Sequence, residues 1–141
     1  KLGFDIGLKD MTADELAYCQ DAVANWKRLQ PAIMDGDQYR LVSPYETNHM
    51  AVNYVSKDQK KAVLFAYDVY PRFQEKLINV KLQGLDPNKT YKVEEINLMP
   101  GVDSALKSNG QTYTGDYLMK VGIEVFGFAA TQSHVLELTA M

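Results

Sequence analysis

One cysteine, Cys19, stands in 141 residues. No disulfide can close within the chain, so the fold has to be held by its core, although an exported location stays open. Histidine is nearly as scarce. His49 and His134 are not spaced as co-ligands of each other or of Cys19. A structural zinc site needs four ligands and a catalytic one usually three, so no metal site is expected. No apolar run approaches the ~20 residues that span a bilayer, and the N-terminus lacks a signal-peptide profile, so no membrane partner is expected. Fifteen basic against eighteen acidic residues give a net charge of −3. That balance lacks the positive field that holds a phosphate backbone, so nucleic acid is not expected as a partner either. Neither a Gly-x-Ser-x-Gly elbow nor a glycine-rich phosphate loop occurs, and no cofactor is expected. The first residue is Lys1 rather than Met, which reads as a piece of a longer protein whose remainder holds the chemistry.

What is present changes character once, near Asp35-Gly36-Asp37. Before that point the pattern is helical. Thr12 followed by Glu15 predicts a capping box, with Met11 placed to pack on Leu16. Asp14 and Glu15 put negative charge at the positive end of the helix dipole. Leu16, Cys19, Val23, Trp26 and Ile33 recur at helical spacing and predict one buried stripe, Cys19 included. Pro31 is expected to kink or end the helix near Gln30, and Gly36 to stop it. Ahead of the helix, Leu2-Gly3-Phe4-Asp5-Ile6 reads as a short apolar strand that one helix cannot bury.

After Tyr39 the sequence reads as β. Eight short runs rich in β-branched and aromatic residues are expected as strands: Tyr39–Val42, His49–Val55, Ala62–Val69, Leu77–Leu82, Tyr91–Leu98, Tyr117–Val121, Ile123–Phe126 and Ser133–Thr139. Turn-forming segments separate them, among them Ser56–Lys60, Gly84–Lys89, Pro100-Gly101 and Asn109-Gly110. About eight strands with no helix between them predict a mainly β fold, an antiparallel β-sandwich of Greek-key type preceded by a short strand and one long α-helix. The stretch from Phe126 to Thr131 shows no pattern.

Candidate chemistry is sparse. Glu94 and Glu95 are adjacent on a strand, so they face opposite sides and cannot share a substrate as the two carboxylates of a glycosidase do. Asp35 and Asp37 suit a turn, and Asp116, Glu124 and Glu137 can meet only through the tertiary fold. Cys19 has no basic neighbour to lower its pKa. Lys57, Lys60 and Lys61 read as a solvated hairpin tip. Asn88-Lys89-Thr90 matches a glycosylation acceptor, yet Asp86-Pro87-Asn88 already explains it as a turn. The nine tyrosines, five phenylalanines and Trp26 suit either a sheet core or a sugar-binding surface; Tyr54, Phe65, Tyr67 and Tyr91 are expected to pack between sheets. No catalytic residue is assigned.

The segments carry more when taken in order. Tyr39-Arg40-Leu41-Val42-Ser43-Pro44-Tyr45-Glu46, after a helix ending Asp35-Gly36-Asp37, resembles the junction in glycoside hydrolase family 36 α-galactosidases. There the last helix of a (β/α)8 barrel passes into a C-terminal β-sandwich. Leu82-Gln83-Gly84-Leu85-Asp86-Pro87 with Tyr91–Asn97, then Gly115–Met119 with Gly122, and finally Val135–Thr139, are similar to later parts of that sandwich. The resemblance implies that residues 1–37 are a barrel remnant (last strand and helix) and residues 38–141 the sandwich domain. It implies a parent that cleaves terminal α-galactosides with retention, through an aspartate nucleophile and an aspartic acid proton donor at the ends of earlier barrel strands. The Lys-Trp-Asp motif of the nucleophile is absent, Trp26-Lys27 having the reverse order, and Asp5 at the end of the leading strand reads as a loop carboxylate.

The expectation is therefore a noncatalytic buttress for the barrel, inactive alone, with the α-galactoside substrate and the barrel as partners of the parent. The alternative is an autonomous carbohydrate-binding module. The buttress predicts buried aromatics, whereas the module predicts exposed, coplanar aromatics on one sheet face. The substrate class suggests an exported or periplasmic location. A helix stripe deprived of barrel strands predicts concentration-dependent self-association into a homo-oligomer.

Overall fold

A computed structural model of the chain describes residues 7–141, except 73, 74, 76 and 128–131. The expected leading strand and Asp5 lie outside the described residues. Helix α1 runs Ala13–Met34. It begins as the sequence dictates: the Thr12 hydroxyl accepts from the Glu15 amide at 3.3 Å, and the Glu15 carboxylate accepts from the Thr12 amide at 2.8 Å. This reciprocal pair satisfies two of the donors that a helix start leaves free. The helix does not end near Gln30. It continues through Pro31 for three residues because Leu29 and Ala32, the buried residues of α1, lie against the sheet on both sides of it. The Asp35 amide closes the last turn on the Pro31 carbonyl at 3.1 Å.

Six antiparallel strands follow: β1 (Asp37–Val42), β2 (His49–Val55), β3 (Lys61–Asp68), β4 (Thr90–Glu95), β5 (Thr112–Thr114) and β6 (Gln132–Ala140). They form one sheet in the order β1-β2-β3-β6-β4-β5, so the last strand enters between β3 and β4. The pleat sorts their side chains into two faces. Register pairs Val52 with Phe65 and Phe65 with Val135 on the face toward α1, and Ala51 with Ala66 and Leu64 with Leu136 on the other. That second face carries the main core, where Leu64, Leu136, Leu138, Tyr91 and Val93 are fully buried.

The layer over this core departs from the expected strands. Leu77–Leu82 and Ile123–Phe126 do not form strands; a single isolated bridge, Val80 with Ile123, joins them. Tyr117–Val121 is not a strand: it belongs to a short helix, α2 (Gly115–Lys120). Thr114 caps it by accepting from the Tyr117 amide at 3.2 Å, Asp116 lies in its first turn, and Lys120 pairs with Asp116 at 2.6 Å. These helix-start residues outweigh the β propensity of Tyr117 and Val121. Leu118 then plugs the core from above. The three-residue strand β5 was not expected from its sequence. The mainly β, antiparallel character and the long preceding helix are as expected, while the described residues form six strands in one sheet instead of about eight.

The buried face of α1 matches the expected stripe in part, keeping Trp26 and Ile33. Leu16 is exposed and Cys19 only half-buried, whereas Tyr18, Ala22, Leu29 and Ile33 face the sheet with Trp26. Gly36 permits the close passage from α1 into β1: a Cβ there would stand 2.1 Å from the Ala32 carbonyl oxygen and 2.4 Å from that of Val55.

Candidate functional site

Three carboxylates are buried in the sheet, and each has a fixed partner. Asp68, at the end of β3, is directly opposite His49 on β2. Its Oδ1 accepts from His49 Nδ1 at 2.7 Å and its Oδ2 from the Gly127 amide at 2.9 Å. The His49 ring stacks on Phe126 with centroids 4.5 Å apart. His49 Nε2 is buried without a hydrogen-bond partner, 3.9 Å from Glu75. Hydrogen bonds from the Arg72 amide and Asn48 hold the Glu75 carboxyl below the usual carboxylate range.

Glu95 occupies the end of β4 on the core side. Its Oε1 faces His134 Nδ1 at 2.6 Å, and Ser104 Oγ donates to its Oε2. Both side chains bind the same carboxylate, so the histidine is not placed to take a proton from the serine, as a nucleophilic triad requires. Asn97 completes the corner, donating to the Ser133 carbonyl at 2.8 Å and accepting from the Val135 amide at 2.7 Å.

Glu137 lies on the opposite face and ties helix to sheet. It binds Arg28 of α1 and, at 3.1 Å, Lys61 of β3. Burial pushes its pKa up, but the hydrogen bonds from Arg28 and Lys61, with their charges, more than offset this and leave it lowered. Lys61 is thus not part of a solvated tip, although Lys57, which pairs with Asp37, is exposed.

The remaining candidates do not converge. Glu94 pairs with Lys92 at 2.6 Å and stands opposite Glu137, while Glu95 lies opposite Leu136, so the adjacent glutamates do face opposite sides. Glu124 pairs with Lys107 at 3.6 Å and Asp116 with Lys120, each at the surface. Asp35 is the C-cap of α1. Asp86 Oδ1 accepts from the Asn88 amide at 2.9 Å, the expected turn. Among the described residues no group of three or more histidine, cysteine, aspartate or glutamate side chains could hold a metal ion. Among them, too, no helix is long and apolar enough to cross a membrane.

The aromatics are divided. Tyr91 is fully buried, and its hydroxyl donates to the Gln59 carbonyl at 2.8 Å and accepts from the Asp86 amide at 3.0 Å. Tyr54 and Phe65 meet edge to face at 5.9 Å beneath α1. Phe65, Trp26, Leu29 and Val135 line an apolar cleft of about 170 Å³ between helix and sheet. Tyr67 is more open than expected, at 37% exposure. At the edge of the sheet, Tyr113 of β5 and Tyr117 of α2 stack with centroids 5.2 Å apart and planes 12° apart. The strand expected at Tyr117 hid this pair; the Thr114-Gly115-Asp116 helix start was the signal available.

Comparison with known proteins points the same way as the fold. Alpha-galactosidase C of Emericella nidulans is 33% identical over 121 residues, 86% of this chain and 14% of that protein. Alpha-galactosidase AgaA of Geobacillus stearothermophilus is 28% identical over 121 residues, 86% of this chain and 15% of that protein. The chain therefore spans about one-seventh of these relatives. The crystal structure of the GH36 α-galactosidase AgaB from Geobacillus stearothermophilus superposes with a TM-score of 0.76 at 27% identity, over 95% of this chain and 17% of that one. A variant of AgaA solved with raffinose superposes with a TM-score of 0.75 at 26% identity, over 95% and 17%. The family model described as the glycosyl hydrolase family 36 C-terminal domain matches residues 49–138, from the first residue of β2 to near the end of β6, and the chain belongs to that family.

Proposed function

We propose that this chain is the C-terminal part of an α-galactosidase that cleaves terminal α-galactosides with retention, and that residues 38–141 form a noncatalytic domain buttressing the catalytic barrel. Residues 1–37 then carry the barrel's last strand and helix. The observation that supports this most directly is the family match over residues 49–138 within relatives named as α-galactosidases, of which this chain covers only the share of a terminal domain. The state of the carboxylates fits it. Retaining glycosidases need two carboxyl groups about 5–5.5 Å apart around a substrate. Here Asp68, Glu95 and Glu137 are each engaged by a histidine or by basic side chains within the fold. Arg28–Glu137 suits a buttress, because it fastens the helix that continues into the barrel to the central strand of the sheet.

The chain alone is expected to release no nitrophenol from an aryl α-galactoside, while the parent carrying it hydrolyses the substrate with retained anomeric configuration. Turnover by the 141-residue chain that is abolished by Glu95→Gln would overturn the noncatalytic assignment. An inverted product from the parent would overturn the reaction. The reading of the whole chain as an autonomous binding module requires coplanar aromatics on an open sheet face, and the full burial of Tyr91, with Tyr54 and Phe65 half-buried and meeting edge to face, favours the buttress.

A further inference from the structure

We propose that the chain carries a second, noncatalytic saccharide site, a pocket beside α2 that takes one hexose ring of an oligosaccharide. The pocket has a volume of about 220 Å³ and is lined by Asn79, Lys107, Ser108, Tyr113, Tyr117 and Glu124. An apolar cavity of about 150 Å³ accommodates one benzene ring, so this space suits a six-membered ring with its hydroxyls. Its chemistry is that of a pyranose. Sugar rings present C–H groups on their faces and hydroxyls around their rims. Tyr117, 41% exposed, offers an aromatic surface that Tyr113 backs by stacking. Around it stand an amide, an ammonium and a carboxylate, able to donate to and accept from hydroxyls.

Two further observations favour a ligand. Ser108 is 3% exposed and its hydroxyl has no hydrogen-bond partner. Buried polar atoms are ordinarily satisfied, so this enclosed hydroxyl, on a residue beside the pocket, is a group with a bond to give. The wall is also rigid. The Val80–Ile123 bridge closes with bonds of 2.9 and 3.1 Å, the Gly122 amide donates to the Tyr117 carbonyl at 3.1 Å, and the Thr114 cap sets the first turn of α2. Such preorganisation lowers the ordering cost of binding. The pocket belongs to the layer covering the core face, whereas α1 packs on the opposite face of the sheet. The site rests on this geometry and not on the reaction of the parent.

The test titrates the 141-residue chain with raffinose and, separately, maltose, following backbone amides by NMR. Saturable shifts in the millimolar range, concentrated at residues 107–108, 113–117 and 122–124, are expected with at least one of them. Tyr117→Ala is expected to weaken binding about tenfold or more, and Tyr45→Ala, at an exposed tyrosine outside the pocket, to leave it unchanged. Ser108→Ala provides a second variant that keeps the surface aromatic. Absence of saturable shifts with both sugars, shifts centred elsewhere, or binding unchanged in Tyr117→Ala would each overturn the site. Binding of maltose but not raffinose would uphold the site and leave the reading of the parent, which is tested by hydrolysis, untouched.

Discussion

His49 Nδ1 and Asp68 Oδ1 lie 2.7 Å apart at the paired ends of β2 and β3, both buried, and the same carboxylate holds the Gly127 amide. One side chain thereby closes a hairpin end and anchors the segment that covers the core. Asp68→Ala strands the imidazole and an amide without an acceptor. It is expected to lower stability by about 2–3 kcal/mol in urea unfolding, because a lost hydrogen bond to a charged group leaves its buried partner unsatisfied.

Glu137 makes the helix–sheet junction sensitive to acid. Its folded pKa is depressed below the ordinary glutamate value of 4.5, so the unfolded chain takes up the proton first as pH falls. The stability it contributes is fully present above that value and is lost as pH falls through the lower, folded pKa. Urea midpoints measured across this acid range should fall more steeply for the natural chain than for Glu137→Gln. The variant should be the less stable of the two near neutrality.

The capping box at the start of α1 is exposed and self-contained. Thr12→Ala is expected to cost about 1 kcal/mol and to appear as a lowered melting temperature, with earlier exchange of amides in the first turn.

Gly36 is needed for space rather than for a left-handed backbone. The two carbonyl oxygens that would stand 2.1 and 2.4 Å from an alanine methyl belong to the main chain, which cannot rotate away. Gly36→Ala is expected to destabilise by about 1–3 kcal/mol, measured by urea unfolding, by forcing α1 off β1 and β2.

Leu16 and Met34 remain exposed along α1. Sedimentation of the chain is expected to show concentration-dependent self-association, weakened by Leu16→Ser. A strict monomer across a wide concentration range would show that this helix face needs no further cover.

Local signals determined much of this molecule. Thr12 and Glu15 set where α1 starts, because a cap is a contact three residues long. The β-branched and aromatic runs of β2 and β3, and the two-residue alternation of Val135–Thr139 in β6, specified strands to within a residue or two, since those side chains suit a pleated, buried surface. Asp86 and Asn88 made their turn for the same local reason. Tertiary packing decided the rest. Pro31 stays helical because Leu29 and Ala32 gain more on the sheet than the missing amide costs. Val80 and Ile123 form only a bridge because the layer above the core is filled by Leu118 of α2, where propensity alone suggested a strand. Which carboxylate meets which cation is likewise absent from any short window: Arg28 and Glu137 are 109 residues apart, as remote in sequence as they are joined in space. The chain's own pattern therefore specifies its elements, while burial against distant residues selects the face of α1, the covering layer and the charge pairs, because only a completed core makes an unpaired buried group costly.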